Sequence, residues 1–397
     1  MDKTKLIREI IYKNRNDIAF VIGNGINRHF FGSKIKSWNE LIENLTNIFL
    51  SEAPPNTEDF SLTELFDLIE LEATSYEDII NEYIECLKNK KYNDLPRVNP
   101  LDFDTALKIA NAPGNSNNIA NDISKSESFE TFNKVYAEYL KGCRKWCMRN
   151  RDDYEILTDE ECVGHFMDVT SNPIKINMMK NIVKQKVIQC FSRELSSPDL
   201  TALMIFFRDL EVPVMTTNYD NLMSQSLGLF KYNMGESFTD FYPWNVYFSS
   251  KELEHPISDF GIWHINGMVN YPRSIKLGIS DYMGNVERVR KMLHSHDFNE
   301  FFNGKNQKNW AGYYTWLHII FNKNLFFFGL QLDKNEVFLR WLLIQRAKYS
   351  QMYNRHLKGW YVDKDIDENK KYFLKKVGFD VIDISDFHEL YDSFMMV

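Results

Sequence analysis

The chain carries a series of short, uninterrupted apolar runs, most of them closed by glycine, asparagine, serine or aspartate. They are IAFVIG at Ile18–Gly23, VPVMTTN at Val212–Asn218, FGIWHI at Phe260–Ile265 and NLFFFGL at Asn324–Leu330. KGWYVD at Lys358–Asp363 and DVIDIS at Asp380–Ser385 continue the series, and SIKLGI at Ser274–Ile279 reads as one more strand. Runs of this length with little polar alternation suit strands buried on both faces. Helical patterns lie between them, among them LTALMIFFRDL, the stretch around Tyr313–Phe321, NEVFLRWLLIQRAKY and a polar helix near 366–377. Alternation of this kind predicts an α/β fold, a Rossmann-like parallel sheet covered by helices.

The series is interrupted once. After the first run come a GNGIN turn, the polar stretch RHFFGSKIK and SWNELIENLTNIF, where Ser37 and Glu40 have capping-box spacing. Residues 61–195 then read as mostly helical. Leu62, Leu65, Phe66, Ile69, Ala73, Tyr76, Ile80, Tyr83 and Leu87 keep a three-four spacing, and a second series runs from Phe129 to Cys147. The polar, Asn-rich segment Asn111–Ser126 reads as a loop. The expected organisation is one Rossmann-type domain made of 1–55 and 200–397, with a large helical insertion or regulatory subdomain at 56–199.

Composition narrows the function. Of 397 residues, 47 are Lys or Arg and 55 are Asp or Glu, a net charge of −8. A broad phosphate-backbone surface usually carries a basic excess, so direct nucleic-acid binding is not expected. No run reaches the ~18 apolar residues of a membrane span. Five cysteines, an odd number confined to the first half, fit a reduced cytoplasmic protein better than a disulfide framework. Cys143 and Cys147 share a helical face, but zinc needs about four ligands and no second pair stands nearby. No metal is expected. The histidines of HSH, His294 and His296, read as solvated.

Four strand ends carry the residues with chemical potential. In GNGIN, Gly23, Asn24, Gly25 and Asn27 follow a buried strand, which suits either a tight structural turn or a phosphate cradle. In TTNYD, Thr217, Asn218 and Asp220 end another strand, where α/β sheets bind ligands; Asp220 equally suits capping of the next helix. His264 ends a third strand and suits either a packed core position or a base. Gly329, Gln331 and Asp333 end the fourth, with Asp333 also placed to cap the following helix.

Together and in this order, GNGIN, TTNYD, His264 and FFFGLQLD resemble the sirtuin-like family, and specifically its NAD-hydrolysing branch from bacterial anti-phage defence. SWNELI is similar to that branch's Trp-x-x-Leu helix, and HINGMVNYPRSIKLGISDY to its His-x-x-Gly, Ser-Ile-x-Leu and Asp-Tyr stretch. Asn27 and Gln331 stand where the family often has Ser, and the paired Cys-x-x-Cys motifs of the protein-deacylating sirtuins are absent. The resemblance covers about 18–50 and 200–345.

What the resemblance implies is an NAD glycohydrolase that makes nicotinamide and ADP-ribose and acts by NAD depletion. Asn218, His264 and Asp220 would be catalytic. Gly23, Asn24, Gly25, Asn27, Thr217, Gly329, Gln331 and Asp333 would hold NAD as substrate. Such an enzyme must be latent until infection, so a homo-oligomer or a complex with a defence-system partner is expected, with the insertion as contact surface. The alternatives are an NAD-dependent protein deacylase and a non-catalytic sensor of NAD or ADP-ribose.

Overall fold

The computed structural model describes residues 2–50, 59–71, 194–235, 242–294 and 307–395, with isolated positions at 54, 144, 148, 158, 183, 187–188 and 190–191. The chain divides into two compact units, one comprising Met1–Ser37 with Phe191–Val397 and the other Trp38–Cys190.

The first unit is built on one eight-stranded sheet. Its strands are β1 (Ile18–Ile22), β2 (Val214–Thr216), β3 (Phe230–Asn233), β4 (Val246–Ser249), β5 (Ile262–His264), β6 (Asn324–Phe328), β7 (Gly359–Lys364) and β8 (Phe379–Ile384). They lie in the order β3-β4-β5-β2-β1-β6-β7-β8. The six from β5 to β8 are parallel, while β4 is antiparallel to β5 and β3 to β4. This is an α/β, Rossmann-like sheet, extended at one side by an antiparallel pair. Sequence pattern missed that pair because β3 (FKYN) is mostly exposed and polar, and β4 is four residues long.

Both faces of the parallel core are covered, as the continuous apolar runs require. Ala19, Val21, Leu325 and Phe327 belong to one buried cluster, and Ile18, Phe20, Ile22, Phe326 and Phe328 to the other. The helices of this unit are α1 (Lys3–Lys13), α2 (Gly25–Phe31), α3 (Pro198–Asp209), α4 (Leu222–Ser226), α5 (Ile279–His294), α6 (Trp316–Asn322), α7 (Val337–Met352), α8 (Glu368–Lys376) and α9 (Phe387–Met395). Ile7, Ile11, Leu203, Phe207, Leu390 and Phe394 bring α1, α3 and α9 to the cluster that holds Phe20. Tyr282, Val289, Leu317, Leu342 and Leu374 bring α5 to α8 to the opposite one. Helix starts follow their caps: Ser197 Oγ accepts from Leu200 N, Thr315 Oγ1 from Leu317 N and Asp367 Oδ1 from Lys370 N.

One local expectation is corrected. SIKLGI is not a strand. Pro272–Ser274 form a 3-10 turn and Ile279 already begins α5. Ser274 Oγ accepts from Met268 N and donates to Tyr271 O, so side-chain bonds fold this stretch back on Gly267. Gly267 has φ +99°, and a Cβ there would stand 2.2 Å from Ser274 O. The GNGIN turn leads straight into α2.

In the second unit, Leu41, Ile42 and Leu45 of the helix Trp38–Phe49 are buried. Residues 62–71 are helical with Leu65, Phe66 and Ile69 buried, the phase their spacing predicts. The series Ala73 to Leu87 lies outside the described residues. So do nearly all of the series Phe129 to Cys147, the segment Asn111–Ser126, and Cys86, Cys143, Cys147, Cys162 and His296. Among the described residues no helix is long and apolar enough to cross a membrane.

Candidate functional site

Strand register brings the four chemically marked strand ends into one row. Ile22 pairs with Thr216 and with Phe328, and Thr216 pairs with His264. The ladder extends one residue further through Thr217 N to Ile22 O at 3.1 Å, Ile265 N to Thr216 O at 2.9 Å and Gly23 N to Phe328 O at 3.1 Å. The chain winds away from β1 in both directions, through β2 on one side and β6 on the other, so the crevice outside their carboxyl ends is a topological switch point.

The glycines of the first turn serve chain-to-chain contact. A Cβ on Gly23 would stand 2.4 Å from Gly329 O, and one on Gly25 would stand 2.6 Å from Gly329 Cα. Gly25 N donates to Gly329 O at 2.7 Å. Gly329 itself has φ +64°, a conformation that favours glycine. Asn24 Nδ2 donates to Lys36 O at 2.9 Å, while its Oδ1 is buried without a partner.

The second and third strand ends lock together. Thr216 Oγ1 donates to Ile22 O and accepts from Asn218 N, fixing the chain just after β2. His264 Nδ1 lies 2.8 Å from Asn218 O. A carbonyl can only accept, so Nδ1 carries the proton and Nε2 keeps its lone pair. His264 is 2% exposed, and burial pushes its pKa down to about 4, against the support of the Asn218 carbonyl. The imidazole is therefore neutral at pH 7. Asn218 is buried, and neither its Oδ1 nor its Nδ2 has a partner.

Asp220 does two things. Its Oδ1 accepts from Leu222 N, at the start of α4, and its Oδ2 accepts from Asn27 Nδ2 at 2.8 Å. Burial raises its pKa to about 6, and the bonds from Leu222 and Asn27 oppose the rise. Asn27 Oδ1, also buried, has no partner.

The fourth strand end is a braced loop. Leu332 is fully buried with φ +49°, unusual for a branched side chain. Arg340 Nη1 donates to Leu332 O at 3.0 Å, and Tyr361 Oη stands 2.7 Å from Leu330 O and 2.9 Å from Gln331 O. Gln331 is exposed. Asp333 does not cap α7. Its Oδ1 accepts from Asn335 N at 2.8 Å in a local turn, and Glu336 takes the N-cap position.

Sequence reasoning missed a second polar group beside these residues. Asn266, two residues beyond His264, is buried, as are the rings of Tyr219 and Tyr282. Tyr219 Oη donates to Lys276 O at 2.8 Å, and Tyr242 Oη donates to Ile265 O. Crowding by protein pushes the Glu336 carboxyl up to about 7, with Asp333 adding to the rise. The only signal in the sequence was the Asp-x-x-Glu spacing of Asp333 and Glu336, which reads as a capping box. Among the described residues no three His, Cys, Asp or Glu side chains gather as a metal would need.

The row of strand ends lies at the switch-point crevice of an α/β, Rossmann-like fold, the place where open α/β sheets bind ligands. The family model of the SIR2-like domain matches residues 213–382, from the start of β2 into β8. Over residues 213–382 the chain is similar to the SIR2-like domain, typically an NAD-dependent enzyme fold, which suggests NAD-related activity in general. No curated protein matches the chain.

Proposed function

We propose that the protein is an NAD glycohydrolase, cleaving NAD to nicotinamide and ADP-ribose, and that it serves anti-phage defence by depleting NAD. One observation carries the reading: Asn218, buried at the switch-point crevice beside His264, leaves both polar atoms of its side chain unpartnered. A buried amide without partners costs about 1–3 kcal/mol per unmet group. Such a cost is expected where a bound molecule completes the bonds.

Nicotinamide leaves NAD as a neutral base, so the reaction needs no strong acid at the leaving group. It needs a held ribose, a placed water and stabilisation of the oxocarbenium character at the sugar. Asn218 orients the ribose or the water, and His264, neutral with Nε2 free to accept, takes a hydrogen bond from a ribose hydroxyl. Asp220 accepts from the nicotinamide carboxamide. Gly23, Asn24, Gly25, Asn27 and Thr217 line the phosphate side with Gly329, and Gln331 and Asp333 flank the distal ribose. The domain is drawn as 1–55 with 200–397, and the segment 56–199 supplies the contact with a second copy or a defence partner that switches activity on.

The test is NAD consumption by purified protein, alone and with the product of its neighbouring gene. ADP-ribose formed without any acylated peptide is the expected result. Release that depends on an acyl-peptide would make the protein a deacylase, and bound but intact NAD would make it a sensor.

A further inference from the structure

The loop that follows β6 has a strained shape, and two side chains grip it. Gly329 has φ +64° and the buried Leu332 φ +49°. A bulky residue in that region persists only where its surroundings fix it. Arg340 of α7 donates from Nη1 to Leu332 O at 3.0 Å. Tyr361, fully buried in β7, reaches the two carbonyls before it, Leu330 O at 2.7 Å and Gln331 O at 2.9 Å. The start of the loop is tied to the crevice. Gly25 N donates to Gly329 O at 2.7 Å, and a Cβ on Gly23 would stand 2.7 Å from Leu330 Cβ.

The phenol has one proton, yet three oxygens stand within hydrogen-bond distance of Tyr361 Oη: the two loop carbonyls and Asp363 Oδ2 at 2.8 Å. Asp363 lies two residues further along β7, on the same face, and is half-buried. Its Oδ1 accepts from Lys364 N at 2.9 Å, which leaves Oδ2 for the phenol. An ionised Asp363 can only accept, and its charged oxygen takes the phenol proton from the neutral carbonyls. A protonated Asp363 donates from Oδ2 to Oη, and the phenol proton then serves the loop. Burial favours the protonated acid and raises the pKa of both groups. Asp383 of β8, paired with Lys371 at 3.4 Å, adds to the rise at Asp363, while Lys370 of α8 opposes it. The other groups facing the pair are Asp333 after β6, Asp367 before α8, Arg340 and the phenol of Tyr391 on α9.

We propose that Tyr361 is a positioning residue for NAD binding: the Asp363 carboxylic acid donates to its hydroxyl, and the hydroxyl holds the loop 329–332 against the GNGIN turn. The inference rests on the NAD reading above. Tyr361 does not touch the ligand in this scheme and acts through Gly329 and Gln331. Loss of its bond lets the loop relax from its strained shape, and the ligand must then restore that shape on binding. Asn218 and His264 lie on the far side of β1 from β6 and β7, so the loss falls on affinity more than on the chemical step. A bond that only braced the fold would move the melting temperature and leave the pH dependence of NAD affinity as it was.

The test uses the full-length chain and compares wild type with Asp363→Asn and Tyr361→Phe. NAD affinity is measured by calorimetry at low temperature, where turnover is slow, across roughly pH 5 to 8. KM and kcat for ADP-ribose release are measured alongside. Asparagine donates from Nδ2 at every pH and so mimics the protonated acid. Wild type should lose affinity roughly 3- to 10-fold as Asp363 ionises with rising pH, the scale of a hydrogen bond. Asp363→Asn should keep the low-pH affinity throughout, and Tyr361→Phe should bind weakly throughout, with KM changing more than kcat. Asp220 and Glu336 titrate in all three proteins, so the role of the pair is the difference between them. A folded Tyr361→Phe with wild-type affinity, or an Asp363→Asn that keeps the wild-type pH dependence, overturns the proposal and leaves the NAD reading intact. Should Tyr361→Phe fail to fold, the comparison of wild type with Asp363→Asn decides alone. Absence of NAD binding in wild type overturns the NAD reading, and the role of Tyr361 with it.

Discussion

Asn27 Nδ2 donates to Asp220 Oδ2 across 2.8 Å, joining the turn after β1 to the turn after β2 within a buried environment. These residues are 193 positions apart in the chain. Their bond makes two of the four strand-end motifs a single unit, and it partly offsets the cost of burying the Asp220 carboxylate.

That bond has a pH signature. Burial raises the Asp220 pKa from 3.8 to about 6, so between those values the folded chain binds more proton than the unfolded one. Its contribution to stability is largest at low pH and falls as pH rises through about 6, levelling beyond. Asp220→Asn should remove this slope. Asn27→Leu should steepen it and lower stability by about 1–3 kcal/mol at neutral pH, because the carboxylate keeps only its bond from Leu222 N. Melting temperatures of the three proteins across the range check both statements.

The opposite sign applies to His318. Its ring is buried against His255, Trp310 and Tyr313, and its Nδ1 has no partner. Burial depresses its pKa to about 2 and the neighbouring His255 to about 4. Stability from these groups is fully present above the ordinary histidine value of 6.5 and is lost as pH falls below it. His318→Phe keeps a ring in the cluster and should reduce the acid-side slope of melting temperature against pH. An unchanged slope would mean that other groups drive acid unfolding.

Arg346 is 1% exposed on α7 and bonds only to backbone. It donates to Ile320 O at 2.9 Å, Lys323 O at 3.1 Å and Lys358 O at 2.8 Å, tying the end of α6 to the start of β7. Burial draws its pKa down to about 9, so it stays charged at pH 7. Arg346→Met has similar length but leaves three carbonyls unmet, and should cost about 3 to 5 kcal/mol, read by chemical denaturation. NAD binding at a permissive temperature should survive, since Arg346 lies away from the carboxyl ends of β1 and β2.

Much of this architecture was legible in the sequence because the signals are local. IAFVIG and NLFFFGL have too little polarity to face water on either side, and burial on both faces at β1 and β6 follows. The strand ends were legible because Gly, Asn and Asp interrupt apolar runs abruptly. What escaped were relationships set by register and packing. Nothing in GNGIN shows that Gly23 and Gly25 are needed for contact with Gly329, since that depends on β1 lying beside β6. Asp-x-x-Glu at Asp333 reads as a cap, yet Asp333 accepts from Asn335 N in a local turn and Glu336 takes the N-cap position without a side-chain bond. SIKLGI has strand composition, but Ser274 side-chain bonds and the positive φ of Gly267 fold it locally.

The last prediction separates function from stability at one residue. Most buried polar side chains stabilise the fold through their bonds, so removing them harms both activity and stability. Asn218 is arranged differently, because its backbone carbonyl holds His264 while its side-chain atoms bond nothing among the described residues. Asn218→Leu keeps the volume and the carbonyl and removes two unmet polar atoms, so the melting temperature should stay level or rise. NAD turnover should fall roughly 10²-fold or more, because the group that orients ribose or water is gone. His264→Ala should show the same loss of turnover but a lower melting temperature, since it leaves a cavity under Phe248 and frees the Asn218 carbonyl. A marked loss of stability in Asn218→Leu would show that the side chain serves the fold rather than a ligand. Wild-type turnover in that variant would remove Asn218 from the site altogether.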